Sequence, residues 1–167
     1  MGNTFRRAVY PGTFNPIHYG HLDIVRRASR VFDEVVVAVY ENPDKPFLFN
    51  AVERVDLVER SVVDLDNVKV ASFNGLAVDY LASIDAWIMI RGLRVFSDFE
   101  YEFRMALANQ RFAPELEVIN FITSERNLHV SSTTVREIAS LGGDVSSMVP
   151  DFVAERLAMR YAELKKT

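Results

Sequence analysis

The chain has 167 residues, a formal net charge of −4 and no cysteine. Its 49% hydrophobic and 25% charged residues are typical of a globular protein and exclude a disordered or collagen-like chain. The negative charge excludes a general affinity for nucleic acid or for an anionic membrane, so a polyanion would need locally placed cations. The lack of cysteine excludes disulfides, thiolate nucleophiles and cysteine-bound metals.

Length and composition predict a single domain over residues 1–167. No apolar run approaches the ~20 residues of a membrane span, and the short apolar run that Pro11 ends is not a signal peptide. We therefore expect a cytoplasmic protein without a membrane partner or a nucleic-acid partner.

Short β-branched runs alternate with segments of helical periodicity, which predicts an α/β protein. The run Val35–Val39 is apolar on both faces, as expected of a central parallel strand that helices cover on both sides. The predicted fold is a doubly wound, five-stranded parallel sheet of the Rossmann-like kind. Its strands are expected at Arg7–Tyr10, Glu34–Tyr40, Asn67–Ala71, Ala86–Arg91 and Glu117–Ile122.

Signals for helix ends lie between and after the predicted strands. Asn50 and Glu53 have the spacing of a capping box, in which each side chain bonds the backbone of the other residue. A later helix would begin at Ser131 or Ser132, and a last amphipathic helix covers Asp151–Leu164. Because ligands of such sheets bind beyond the carboxyl ends of the strands, the residues that follow each strand form the candidate site.

The segment after the first strand, Pro-Gly-Thr-Phe-Asn-Pro-Ile-His-Tyr-Gly-His over residues 11–21, places two histidines at the start of a helix. The free N–H groups and the dipole of a helix N-terminus favour an anion, and an imidazole can donate a hydrogen bond to phosphate. Two exposed histidines at a corner are the plainer alternative, but the combination of Gly-Thr-Phe-x-Pro with H-x-G-H outweighs it. Neither a P-loop nor a G-x-G-x-x-G motif occurs.

Cations follow the second and fourth strands. Lys45 lies between two prolines in the loop after the second strand, and Arg91 and Arg94 lie at the end of the fourth. A solvated side chain is the common outcome for a single loop lysine such as Lys45, although a cation on a stiff loop can also clamp a phosphate. A charge directly after an apolar strand is costly unless it meets an anion, so a bound phosphate is favoured at Arg91. Salt bridges to Asp98 and Glu100 are the plainer alternative.

Two further segments bear on the site. The hydroxyl cluster Ser131–Thr134 opens a helix and is either a cap or a second phosphate-binding terminus. Glu102, Met105 and Asn109 share one helix face, which could look into the cleft or into solvent. Trp87, the phenylalanines and the methionines are assigned to the core or to subunit contacts. No metal site made of side chains is predicted, because ligand spacing is absent.

These motifs together resemble the bacterial phosphopantetheine adenylyltransferases, which belong to the H-x-G-H nucleotidylyltransferase superfamily. The likeness runs almost end to end and includes Tyr-Pro-Gly-Thr-Phe after the first strand, Asn-Pro-x-Lys45 after the second and the pair Glu53–Arg54. Its most specific block is R-G-L-R-x-x-x-D-F-E-Y-E, which runs from Arg91 to Glu102.

The resemblance implies a nucleotidylyltransferase fold and transfer of the adenylyl group of ATP to 4′-phosphopantetheine, which gives 3′-dephospho-coenzyme A and pyrophosphate. It also implies Mg²⁺ bound mainly through ATP, a homohexamer built as a dimer of trimers, and feedback inhibition by coenzyme A. The implied catalytic residues are His21, Lys45 and Arg91. The implied phosphopantetheine contacts are Thr13, Lys45, Leu76, Ala77, Arg91 and Asn109. The implied ATP contacts are Thr13, Phe14, His21, Gly92, Leu93, Arg94, Glu102, Asn127, Leu128, His129, Val130, Ser131, Ser132 and Thr133.

Three features depart from the family pattern. Asn15 stands where Asp is usual and His18 where Thr is usual, so the first loop also resembles nicotinate mononucleotide adenylyltransferases. The segment Asn127–His129 replaces an aromatic pair found in some members. The run Ser132–Arg136 also occurs in nicotinate-type relatives.

The nearest alternative function is therefore adenylyl transfer to nicotinate mononucleotide or to another phosphate acceptor. A non-catalytic nucleotide-binding module is the alternative from another class, because a fold alone does not establish an activity. An aminoacyl-tRNA synthetase is disfavoured, since the chain is short and lacks a basic surface signal.

Overall fold

Strands and helices alternate along the chain as predicted. The computed structural model describes residues 5–41 and 46–166. Within these residues no helix is long and apolar enough to cross a membrane. The elements are β1 (Arg7–Gly12), α1 (Tyr19–Ala28), β2 (Glu34–Tyr40), α2 (Ala51–Val62), β3 (Val68–Phe73), α3 (Ala77–Ser83), β4 (Ile88–Leu93), α4 (Phe96–Phe112), β5 (Glu117–Ile122), a 3₁₀ turn (Glu125–Asn127), α5 (Ser132–Ser140) and α6 (Asp151–Leu164).

The five strands form one parallel sheet in the order β3-β2-β1-β4-β5. The chain moves outwards from β1 to β3 and then crosses to the other side of β1, so the strand order reverses between β1 and β4. This arrangement confirms the predicted doubly wound α/β fold. In such sheets the reversal point is where ligands bind.

Strands β1 and β4 separate towards their carboxyl ends. They pair only at Ala8–Ile88 and Val9–Met89, although β1 continues to Gly12 and β4 to Leu93. Both strands therefore extend beyond their predicted ends, because each keeps its outer partner, β2 or β5, to the last residue. The gap between them opens a crevice at the switch point.

The core lies on both sides of the central strands. Strand β2 is almost completely buried, with Val35, Val37, Ala38 and Val39 at 0% exposure. Helices α1, α2, α5 and α6 share one apolar cluster, and α3 belongs to the other. Burial on both faces explains why this strand lacks alternation of polar and apolar residues.

Local signals set the helix ends. Asn50 Oδ1 accepts the backbone N–H of Glu53 at 3.0 Å, and the Glu53 carboxylate accepts the N–H of Asn50 at 2.9 Å, which confirms the capping box. Ser131 caps α5, and Gly142, with φ of +81°, follows the end of that helix. Helix α6 spans the predicted range.

The aromatic side chains fall into two groups. Phe14, Phe32 and Phe49 are buried in the core, whereas Phe96 and Phe103 of α4 are 78% and 55% exposed. Helix α4 therefore carries an apolar face that the described chain leaves uncovered.

Candidate active site

An open cavity of about 820 Å³ lies over the carboxyl ends of the strands. Its volume falls within the range of about 300–1,000 Å³ usual for small-molecule sites. Segments after β1, β3 and β4 and the first turn of α5 meet there. The sequence-predicted residues that line it are Thr13, Phe14, His21, Leu76, Ala77, Arg91, Gly92, Arg94, Glu102, Asn109, Ser131, Ser132 and Thr133.

Of the predicted contacts that the structure describes, five do not line this cavity. Lys45 lies outside the described residues, so its contribution stays a prediction. Val130 and Asn127 are buried, and Leu128 and His129 are exposed away from the cavity. Leu93, at the end of β4, also does not line it. The contacts expected of these residues stay predictions, and the carbonyl of Val130 lies beside the cavity, where it accepts a hydrogen bond from Arg94 at 3.4 Å.

His18 and His21 form a stacked pair at the amino end of α1. Their ring centroids lie 3.6 Å apart and their planes differ by 20°. His18 is the N-cap, and its Nδ1 accepts the backbone N–H of His21 at 3.3 Å. An accepting Nδ1 cannot carry a proton, so a neutral His18 holds its proton on Nε2.

Burial keeps both imidazoles neutral. Burial, reinforced by the charge of Arg94, lowers the pKa of His18 to about 3. The pKa of His21 lies well below its ordinary value of 6.5, first because the ring is buried and then because of electrostatic interaction with His18 and Arg94. His21 thus offers a bound phosphate a neutral N–H donor and no positive charge.

Arg91 and Glu102 form a two-pronged ion pair in the cavity wall. Arg91 Nε donates to Oε2 of Glu102 at 2.8 Å, and Nη2 donates to Oε1 at 2.6 Å. The third nitrogen, Nη1, donates to the carbonyl of Pro11 at 3.3 Å. Burial disfavours the charged form of Arg91, but the hydrogen bond and the negative charge of Glu102 together favour it more strongly. The pKa of Arg91 is therefore raised.

Arg94 is held in a similar way by the start of α4. Its Nε donates to Asp98 Oδ2 at 3.2 Å, and the same oxygen accepts the backbone N–H of Arg94 at 3.0 Å. The salt bridge to Asp98 offered as the plainer alternative is therefore present, whereas Arg91 pairs with Glu102 and not with Glu100. The predicted ATP contact Glu102 acts in this structure as the counter-ion of Arg91.

The hydroxyl cluster at α5 both caps the helix and borders the cavity. Ser131 Oγ accepts the backbone N–H of Thr134 at 3.0 Å, as in an ordinary cap. Ser132 Oγ donates to the carbonyl of Pro16 at 2.8 Å and ties α5 to the loop after β1. Two helix N-termini, those of α1 and α5, therefore border one cavity, and their unpaired N–H groups favour anions.

Several further residues line the cavity, namely Tyr10, His18, Asp98, Tyr101 and Met105. His18 was one of the two candidate anion donors of the first loop, whereas Tyr10 and Tyr101 were not predicted from the sequence. The sequence contained one indication that Met105 could line the cavity, because Met105 shares a helix face with Glu102 and Asn109. Tyr10 lies in a strand that reads as core, and nothing in its spacing indicated a site.

The residues present do not fit a protein-held metal ion. Among residues 5–41 and 46–166 no group of three or more histidines or carboxylates could hold one. The cavity carboxylates Asp98 and Glu102 are already paired with arginines.

Comparison with known proteins defines the class. Residues 9–138 match the Cytidylyltransferase-like family, so the chain is a member of that family. A solved structure of a candidate nicotinate-nucleotide adenylyltransferase from Vibrio parahaemolyticus superposes with a TM-score of 0.71 at 20% identity, covering 92% of this chain and 98% of that one. At this identity the likeness bears on the fold alone.

Closer relatives define the family. The phosphopantetheine adenylyltransferase of Dictyoglomus turgidum is 47% identical over 155 residues, which cover 93% of this chain and 97% of the relative. The phosphopantetheine adenylyltransferase of a Roseiflexus species is 50% identical over 154 residues, 92% of this chain and 96% of the relative. The chain belongs to the phosphopantetheine adenylyltransferase family, a family of nucleotidyltransferases.

Proposed function

We propose that this chain transfers the adenylyl group of ATP to 4′-phosphopantetheine, which gives 3′-dephospho-coenzyme A and pyrophosphate. The observation that carries the proposal is identity at 47% over 97% of the length of the phosphopantetheine adenylyltransferase from Dictyoglomus turgidum. The relatives favour this acceptor over nicotinate mononucleotide. The cavity supports it, since its lining includes arginines and also the apolar side chains of Leu76, Val78 and Met105.

The chemistry needs no base from the protein. A phosphate monoester already carries close to two negative charges at pH 7, because its second pKa is about 6. One of its oxygens attacks the α-phosphorus of ATP, the bond from that phosphorus to the bridging oxygen breaks, and pyrophosphate leaves. The obstacle is repulsion between two anions, so the protein supplies position and charge neutralisation.

The residues divide between the two reactants. Arg91 and Thr13, with Lys45 as an untested partner, are proposed to hold the acceptor phosphate, and Leu76, Ala77 and Asn109 to border the pantetheine arm. His21, Arg94 and the first turn of α5 are proposed to hold the triphosphate. Arg91 and Arg94 are each held in place by a carboxylate, which supports a role in charge neutralisation at fixed positions.

Four further elements belong to the proposal. Mg²⁺ would accompany ATP, as the absence of a side-chain cage among the described residues leaves that route. The exposed apolar face of α4 supports a homo-oligomer, proposed as a hexamer. Coenzyme A would inhibit, because it contains the pantetheine arm and the adenylyl group of the product. A cytoplasmic location is also proposed, and cell fractionation would test it.

The test is pyrophosphate release with ATP and Mg²⁺ and each acceptor in turn. We expect release with 4′-phosphopantetheine, little with nicotinate mononucleotide and none without an acceptor. Release only with nicotinate mononucleotide would establish the alternative acceptor. Calorimetric binding of ATP without pyrophosphate from any acceptor would instead identify a non-catalytic nucleotide-binding module.

A further inference from the structure

Arg54 of α2 is a buried cation that the proposed chemistry does not use. It is 1% exposed and is the largest fully buried side chain among the described residues. Its guanidinium pairs with no carboxylate in the part of the chain that the structure describes. Burying a charge without a carboxylate partner is costly, so the guanidinium of Arg54 must be stabilised by other interactions.

All hydrogen bonds of this guanidinium go to backbone carbonyls. Nη1 donates to Thr13 and to Tyr40, each at 2.7 Å, Nη2 donates to Glu41 at 2.9 Å, and Nε donates to Phe49 at 3.1 Å. These carbonyls belong to the loop after β1, to the end of β2 and to the approach to α2. One side chain therefore ties the loop after β1, which is distant in sequence, to the end of β2 and to the approach to α2.

The loop after β1 needs such support. Phe14 has φ of +47°, a left-handed conformation that is unfavourable for a residue other than glycine and persists only where its surroundings enforce it. The carbonyl immediately before it, that of Thr13, is the one that Arg54 holds. One residue beyond Phe14, Asn15 Oδ1 accepts the N–H of Phe49 at 3.2 Å, and Arg136 donates to the carbonyl of Asn15.

The strained corner lies in the cavity. Thr13 and Phe14 both line it, and the ring of Phe14 contacts His21 edge-on with centroids 4.9 Å apart. A displacement of the Thr13 peptide would therefore move a predicted phosphate contact and a neighbour of His21 together.

We propose that Arg54 is a positioning residue, which fixes the Thr13–Phe14 corner against the end of β2 and so sets where the acceptor phosphate binds. The inference rests on the proposed function for the identity of that phosphate. The planar guanidinium suits the task because its five donors point along fixed directions towards several carbonyls. A lysine would keep the charge but would concentrate three donors on one nitrogen.

The experiment compares Arg54→Lys with a matched control, Arg7→Lys. Arg7 lies at the opposite end of β1 and donates to the Glu34 carboxylate and to the carbonyl of Ile84, far from the cavity. For Arg54→Lys we expect the KM for 4′-phosphopantetheine to rise and kcat to fall, each about tenfold or more, because misplacement of reacting groups by about 1 Å is costly. The control should stay within twofold of wild type in both constants.

A second measurement does not depend on activity. Hydrogen–deuterium exchange followed by mass spectrometry should show faster exchange over residues 11–17 and 46–50 in Arg54→Lys, with no change there in Arg7→Lys. If the wild-type protein releases no pyrophosphate, the proposed function fails, and exchange alone decides the role of Arg54 in fixing the corner.

Wild-type kinetics together with wild-type exchange in Arg54→Lys would overturn the inference. So would a loss of thermal stability equal to that of Arg7→Lys with both kinetic constants unchanged, because that result assigns Arg54 to the fold alone. If Arg54→Lys fails to fold, Arg54→Met takes its place, since it fills similar space without a buried charge. Wild-type kinetic constants in Arg54→Met would equally overturn the proposal.

Discussion

His18 combines two roles at the start of α1, since it caps the helix and stacks on His21. Threonine is the usual residue at this position in the phosphopantetheine adenylyltransferase family. A threonine could cap the helix, but it has no ring to stack on His21. His18 therefore restricts the orientation of the neighbouring imidazole. The pair offers one rigid neutral donor group to a bound nucleotide.

Replacement of His21 tests the donor role. We expect His21→Ala to lower kcat by about 10²–10³, the usual effect of removing one donor that stabilises developing charge. His18→Thr, which keeps a cap and loses the stack, should cost less. Steady-state pyrophosphate release measures both variants. Turnover of His21→Ala within threefold of wild type would contradict the role.

The depressed histidine pKa values predict a pH dependence of stability. Below pH 6.5 the unfolded chain increasingly protonates both histidines, whereas folded His18 stays neutral down to about pH 3 and the pKa of folded His21 also lies well below 6.5. The stability that the pair contributes is therefore present above pH 6.5 and falls as pH is lowered. At pH 5.5 the expected loss is about 1.4 kcal/mol for His18, with a further loss from His21. The pKa values of Asp23 and Glu53 are lowered from 3.8 and 4.5, so these two carboxylates contribute to the pH dependence of stability only at lower pH.

Urea unfolding at pH 7.5 and 5.5 measures this loss. The double variant His18→Gln, His21→Gln should lose much less stability between these two pH values. An equal loss in the wild type and in the double variant would show that other groups cause the pH dependence.

The positions of residues in the sequence predicted which side chains follow a strand, but not which groups those side chains contact. Thr13, His21, Arg91 and Arg94 reach the cavity because the carboxyl ends of parallel strands meet at one edge. The pairing of Arg91 with Glu102 joins β4 to α4, and the angle of that helix is set by packing that no local spacing reveals.

Helix α2 shows which contacts can be predicted from residues that are close in sequence and which cannot. The capping box was predictable because both of its hydrogen bonds join residues three positions apart. The same Glu53 carboxylate also accepts hydrogen bonds from Arg156 and Arg160 of α6, more than a hundred residues away, and no spacing predicted those.

Two substitutions separate the local contacts from the distant ones. We expect Asn50→Ala to lower the free energy of unfolding by about 1 kcal/mol, the usual cost of a lost N-cap. Glu53→Ala should lower it by about 2 kcal/mol, because Arg156 and Arg160 also lose a partly buried partner. Urea unfolding at pH 7.5 measures both, and an equal loss in the two variants would rule out a contribution from α6.

Strand ends were less predictable than strand existence. The pattern placed the end of β4 at Arg91, yet Arg91, Gly92 and Leu93 stay in register with Asn120, Phe121 and Ile122 of β5. Pairing with a neighbouring strand thus extends the element into residues whose own propensities favour a turn. Such an extension depends on the partner strand and is invisible in a single segment.

Within residues 5–41 and 46–166, α4 carries a row of exposed aromatic side chains that no other described element covers. Phe96, Phe99 and Phe103 form a row of ring contacts with centroids about 6 Å apart, and all three are exposed. The sequence predicted a helix here, with Glu102, Met105 and Asn109 spaced along one face, but such spacing does not distinguish a core face from a face that another subunit covers.

Sedimentation velocity tests whether this face joins subunits. We expect wild-type protein to sediment as an oligomer and the double variant Phe96→Ser, Phe103→Ser to shift towards smaller species, because apolar contact area is lost. Val63→Ser is the matched control, since Val63 is 83% exposed on another side of the chain. An unchanged sedimentation profile in the double variant would place the subunit contact elsewhere.

The cavity draws its lining from residues as distant in sequence as Tyr10 and Thr133. During synthesis on a ribosome, a nascent chain that has not yet released its fifth helix cannot assemble the complete pocket. Recognition of the nucleotide must therefore come late in biogenesis. Once it occurs, the ligand reinforces every strand together, because it binds only the finished sheet.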